Sequence, residues 1–83
     1  EWTDPSAKVG LVERELPKTL VGTRVLSLDS AIARIVSVRR LGAAIIPGAD
    51  TVVQEGDVAY VAVEVKSLEA FDASLASTSG KGH

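Results

Sequence analysis

Ala31-Ile32-Ala33-Arg34-Ile35-Val36-Ser37-Val38-Arg39-Arg40-Leu41-Gly42-Ala43-Ala44-Ile45-Ile46-Pro47 is the stretch whose reading settles the architecture. Up to Arg40 it alternates as a strand does. Ile32, Arg34, Val36, Val38 and Arg40 are expected on one face, and Ala31, Ala33, Ile35, Ser37 and Arg39 on the other. Both faces are partly apolar, so one should pack on helices and the other on a partner subunit. Leu41-Gly42 reads as a tight turn, Ala43 to Pro47 as the returning hairpin strand, and Pro47-Gly48 as its stop.

Toward the C-terminus, Thr51 to Val53 suits a brief extended piece. Gln54-Glu55-Gly56-Asp57 follows as a turn in which Gly56 supplies a positive φ. Val58 to Val65 is rich in β-branched and small residues and predicts a strong strand. Ser67 is placed to cap a helix whose apolar residues Leu68, Phe71 and Leu75 recur at helical spacing. Toward the N-terminus, Leu20-Val21-Gly22 precedes a short amphipathic helical turn carrying Val25, Leu26 and Leu28, with Thr23 or Gly22 as its cap. Ala7 to Leu16 is a further strand, ended by Pro17. Residues 1–6 are expected to be a linker from a missing upstream lobe, 7–76 the folded domain and 77–83 a disordered tail. The sum is an α+β domain: a small four-stranded, mostly antiparallel sheet with two helices on one face.

With 83 residues, 46% of them apolar but only three aromatic (Trp2, Tyr60 and Phe71), the core must be built from small aliphatic side chains. A core that thin is often completed by a second copy of the same chain. There is no cysteine, so neither disulfides nor thiolate metal sites supplement it. No apolar run reaches membrane-span length, and the N-terminal residues lack the pattern of a signal peptide. The net charge of −2 argues against nucleic acid as a partner. That sum conceals a division: six of the nine basic residues lie between positions 14 and 40, whereas acidic residues prevail after position 40. Attraction between neighbouring elements across this division is the simpler reading, and an anion site in the basic segment the sharper one.

Catalytic chemistry finds few candidates. His83 is the single histidine and lies in the tail, which leaves no base for a nucleophile. Asp50, Glu55 and Asp57 could offer oxygen ligands to a metal, but they sit in turns, where acidic residues are common, and match no calcium-loop pattern. Gly42, Gly48 and Gly56 are isolated turn glycines rather than a phosphate-binding loop. A lipoyl-type carrier would present a lysine at a hairpin tip, where neither Lys8 nor Lys66 stands. Arg39 and Arg40, adjacent on a strand, must point to opposite faces. One of them therefore needs a carboxylate or phosphate partner, unless the strand ends there and releases both to water.

Arg40-Leu41-Gly42-Ala43-Ala44-Ile45-Ile46-Pro47, followed by Asp50-Thr51-Val52-Val53-Gln54-Glu55-Gly56-Asp57-Val58, resembles the signature of the TrkA C-terminal domain, also called the RCK C-terminal domain, of bacterial potassium-uptake regulatory proteins. Leu20-Val21-Gly22 matches the entry to that family's short helix, and Leu68-Glu69-Ala70-Phe71 its terminal helix, so the resemblance spans residues 7–76. Leu28-Asp29-Ser30-Ala31 departs from the pattern in being compact. The resemblance implies a non-catalytic, cytoplasmic homodimer, peripheral to the inner membrane through a membrane-embedded potassium transporter subunit. It implies no cofactor in this domain, with NAD or ATP bound by an upstream dinucleotide-binding lobe of the same protein. Some members bind cyclic di-AMP between two such domains. The positions matching that site here are Val38, Arg40, Ile45, Ile46 and Pro47, with Arg40 at the phosphates. The alternative is a purely structural dimerisation module with no small-molecule ligand.

Overall fold

The computed structural model describes residues 2, 3, 6 and 8–79. Within them lie five strands, β1 (Trp2–Thr3), β2 (Val9–Glu15), β3 (Ala33–Arg40), β4 (Ala43–Ile45) and β5 (Val58–Glu64), and one α-helix, α1 (Leu68–Ser79). Three short 3-10 turns, at Lys18–Leu20, Val25–Leu28 and Val65–Ser67, join them. The sheet order is β1-β2-β5-β3-β4 with every neighbouring pair antiparallel. The last strand in sequence, β5, therefore occupies the middle. Its Ala59, Val61 and Val63 are buried, as befits a strand flanked on both edges and covered on one face.

One face of the sheet is closed by α1 and the 3-10 turns. Phe71 and Leu75, one helical turn apart, are buried against it together with Leu20 and Val25, and Leu68 packs at the margin. From the sheet come Val12, Ala33, Ile35, Val38, Ala59, Val61 and Val63, all of them small aliphatics as the composition requires. Each buried Val, Leu or Ile contributes on the order of 1.5–3 kcal/mol. Arg14 reaches from β2 to Asp72 of α1 through Nε and Nη2, at 2.8 and 3.3 Å, fastening the helix across the sheet. The segment before β5 is laced to the early turn by three backbone bonds: Gly22 N to Val53 O, Val53 N to Thr23 O, and Val25 N to Thr51 O. These bonds enclose Val53.

Several expectations are refined. The plain alternation expected along β3 fails midway, because the pairing with β5 slips between Ile35 and Ser37. Val36 is the extra residue of a bulge, and beyond it the faces exchange, so Val38 falls in with Ala33 and Ile35 on the buried side. The early helical turn is a four-residue 3-10 segment whose N-cap is Arg24, in extended conformation, rather than Thr23 or Gly22. Gly22, at φ +90°, serves the turn before it, and Thr23 is held by the exchange with Val53. Ser67 is not a cap, since the 3-10 turn Val65–Ser67 runs straight into α1 and leaves it inside the helical path, its hydroxyl donating to Glu64 Oε1 at 3.1 Å.

At the ends, Trp2–Thr3 of the expected linker pair with Leu11 and Gly10 as an edge strand. The helix continues to Ser79, into the expected disordered tail, since extending an established helix adds one bond per residue fixed. His83 lies outside the described residues.

Candidate functional site

The β3–β4 hairpin holds the residues singled out by the resemblance. Arg40 pairs with Ala43 and Val38 with Ile45, leaving Leu41-Gly42 as a two-residue loop. Both loop residues have positive φ, +52° and +81°, the combination that follows the right-handed twist of the flanking strands. Leu41 is an unusual occupant, a side chain in left-handed backbone and fully exposed. Val38 is enclosed in the core, and Ile45 packs half-buried against the same cluster. Pro47 is buried, two residues beyond the end of β4 at Ile45. Ile46 stands 79% exposed. The hairpin thus brings Val38, Arg40, Ile45 and Pro47 to the core side and presents Ile46 to solvent.

Arg40 points inward and meets Asp57, the last residue before β5, whose side chain is 0% exposed. Arg40 Nε donates to Asp57 Oδ1 at 2.9 Å, and Nη2 donates to Oδ2 at 2.7 Å and to the Val52 carbonyl at 2.8 Å. Asp57 Oδ2 also accepts the Gln54 N–H at 2.9 Å, which folds the turn where Gly56 takes φ +88°. Two parallel bonds between guanidinium and carboxylate are the strongest arrangement such a pair adopts. The hydrogen bonds from Arg40 hold the Asp57 carboxyl below the usual carboxylate range. Desolvation opposes this, and the Gln54 N–H and the charge of Arg40 add to it. Arg40 is raised in turn, chiefly by its bonds to Asp57. The partner of the inward arginine is therefore a carboxylate, and Nη1 is the nitrogen that remains for any further anion.

Arg39 points to the opposite face and pairs with Glu13 of β2 at 2.8 Å, reaching over β5. Glu13, Ser37, Arg39, Ala44, Val58 and Tyr60 line a broad hollow there, of about 640 Å³. Sequence reasoning missed Asp57 and Glu13 as arginine partners. The charge division signalled Asp57, since Arg14 with Asp72, Lys18 with Glu55 and Arg40 with Asp57 all join the basic segment to the acidic one, but it gave no sign of Glu13, which lies outside the acidic segment. Of the acidic trio considered for a metal, Asp57 is committed to Arg40 and Glu55 to Lys18, and no group of three potential ligands forms among the described residues. No helix among them is long and apolar enough to cross a membrane.

Residues 11–76 match the model of the TrkA-C domain. The chain belongs to that family. A similar protein is the Trk system potassium uptake protein TrkA of Streptomyces coelicolor, 34% identical over 76 residues. The match covers 90% of the TrkA-C chain but only 34% of the relative, so the chain spans about a third of that protein's length. Among solved structures, one described as "Structure of RCK domain with cda" superposes with a TM-score of 0.62 at 17% identity, over 78% of this chain and 96% of that one. Its likeness establishes a shared fold, and the five-stranded sheet with its terminal helix is that fold in this chain.

Proposed function

We propose that this TrkA-C domain is the regulatory part of a potassium-uptake protein, carried downstream of a dinucleotide-binding lobe and acting from the cytoplasm on a membrane-embedded transporter subunit. The observation that carries the reading is the 34% identity, sustained over 76 residues, with a potassium uptake protein of which this chain matches one part. The domain performs no chemistry in this reading. Two copies pair, and a ligand held more tightly by one arrangement of the pair shifts the attached parts toward it, by no more than its difference in affinity for the two arrangements.

The effector class proposed is an anionic nucleotide such as cyclic di-AMP, seated at the outer end of the β3–β4 hairpin. Ile46 offers exposed apolar surface to a base, between half-buried Ile45 and buried Pro47 in the chain. Arg40 Nη1 is the donor available to a phosphate. Val38 acts from below, by holding Ile45 in place. Calorimetry with cyclic di-AMP tests this, comparing the wild type with Ile46→Asp, a change at an exposed position that leaves the core intact. Binding by the wild type that Ile46→Asp abolishes supports the site, whereas undiminished binding by the variant removes the hairpin from it.

A second reading, a dimerisation module without a small-molecule ligand, is favoured by the internal commitments of Arg40. Thermal melts separate the two, because a ligand specific for the folded state raises the melting temperature with its concentration. Potassium uptake by a parent protein carrying or lacking this domain tests the regulatory role itself.

A further inference from the structure

The hollow on the outer face of the sheet, of about 640 Å³, falls in the size range of small-molecule sites and opens on the opposite face from Arg40 and Asp57. Its rows follow from strand register. Glu13, Tyr60 and Ser37 lie level across β2, β5 and β3, and Val58, Arg39 and Ala44 level across β5, β3 and β4. Arg39 reaches diagonally over β5 from the second row to the first, where Nη1 donates to Glu13 Oε2 at 2.8 Å. The two side chains are 48% and 53% exposed, so both charged groups stay open to the hollow while they pair.

That pairing leaves polar atoms to spare. Arg39 keeps Nε and Nη2, and Glu13 keeps Oε1, without partners among the described residues. The Ser37 and Tyr60 hydroxyls also lack partners there, and neither is enclosed, so both are able to exchange a hydrogen bond with a bound molecule. Val58, Ala44 and the Tyr60 ring supply the apolar part of the lining.

Charge decides what such a lining accepts. The Arg39–Glu13 pair has no net charge, so an anion drawn to Arg39 meets Glu13 beside it, and a cation drawn to Glu13 meets Arg39. A molecule carrying both signs a short distance apart avoids either penalty. Its carboxylate adds to Arg39 Nε and Nη2, the parallel donors that a carboxylate fits, and its ammonium to Glu13 Oε1. An apolar side chain then rests on Val58 and the Tyr60 ring. We infer that the hollow binds a small zwitterion of the α-amino-acid type, with Arg39 and Glu13 reading its two charges. The inference stands independently of the nucleotide reading of the hairpin, since it uses none of the residues assigned there.

Nuclear magnetic resonance titration of the isotope-labelled 83-residue chain tests it, with L-leucine as the zwitterion, L-leucinamide as its cationic counterpart and N-acetyl-L-leucine as its anionic one. L-Leucine should shift the amide signals of Glu13, Ser37, Arg39 and Tyr60 and saturate in roughly the millimolar range, as befits a ligand of so few atoms in an open site. The two singly charged probes should bind at least about tenfold more weakly. Glu13→Gln should reverse the order in favour of N-acetyl-L-leucine, and Arg39→Gln in favour of L-leucinamide, a change that a purely structural role for the pair would not produce. Both substitutions lie at exposed positions, and an unchanged amide spectrum elsewhere in the domain confirms that each variant is folded. Absence of saturable shifts with L-leucine overturns the inference. Equal binding of all three probes overturns the assignment to a zwitterion, and shifts confined to other residues overturn the hollow as the site.

Discussion

Arg40 and Asp57 face one another across the closed side of the sheet with guanidinium and carboxylate in parallel register, Nε to Oδ1 at 2.9 Å and Nη2 to Oδ2 at 2.7 Å. The pair joins the end of β3 to the turn that starts β5. It therefore fixes the register of the central strand as well as neutralising a buried carboxylate.

Arg40→Ala should be among the more damaging substitutions in the chain. It strands a carboxylate that the fold encloses, and an enclosed charge without its partner is costly to keep. Asp57→Asn should cost less, since Arg40 keeps the Val52 carbonyl and its side chain is 21% exposed, within reach of water. Urea unfolding of both variants checks the order. Equal losses would mean that Asp57 is not the group whose burial matters.

The same pair sets an acid dependence. The folded-state pKa of Asp57 lies below its unfolded value, so the unfolded chain binds its proton first as pH falls. The contribution of the pair is complete above the unfolded value of about 3.9, and is lost as pH falls from there through the folded value. Melting temperatures followed from pH 7 downward should turn down below about pH 4 in the wild type. They should turn down less in Asp57→Asn.

Leu41 occupies left-handed backbone that costs a side chain on the order of 1 kcal/mol, and it makes no return by burial. Leu41→Asn or Leu41→Gly should therefore stabilise the domain by about that amount, seen as a higher urea midpoint with an unchanged slope. Gly42→Ala should do the reverse, although open space surrounds the glycine, because its φ is +81°.

Phe71 is the one phenylalanine of the chain and is 2% exposed at the centre of the α1 contact. Phe71→Ala should cost roughly 3–5 kcal/mol and, in a domain this small, threaten folding altogether. Asp72→Ala, one residue on, removes a partly exposed ion pair with Arg14 and should cost at most about 1 kcal/mol. The contrast, measured in the same unfolding series, separates packing from charge as the means by which the helix is held.

Where local chemistry decides the backbone, the sequence was readable: the Leu41-Gly42 hairpin, the Gly56 turn, the β5 run and the apolar stripe of α1 all follow from residue type and spacing. The bulge at Val36 was not readable, because nothing in Ile35-Val36-Ser37 distinguishes a slipped pairing from a regular one. Only the packing of Ile35 and Val38 on the same core decides it. That slip also reassigned the two faces beyond it, which is why Val38 shares the core side with Ile35 rather than lying opposite it. At the hairpin, sequence reasoning left the partner of the inward arginine as carboxylate or phosphate. Choosing between them needed the fold, since Asp57 is 17 residues from Arg40 along the chain.

The place of β5 in the sheet order has a consequence for how the chain comes into being. Until Val58–Glu64 has been synthesised, β2 and β3 have no strand between them to pair with, and Val12, Ile35 and Val38 have no finished wall to pack on. The N-terminal two-thirds must therefore wait, unassembled, for a late segment to arrive and knit the two halves together. Such a domain folds in a single step once that segment has been made, more slowly than a helical domain of equal length.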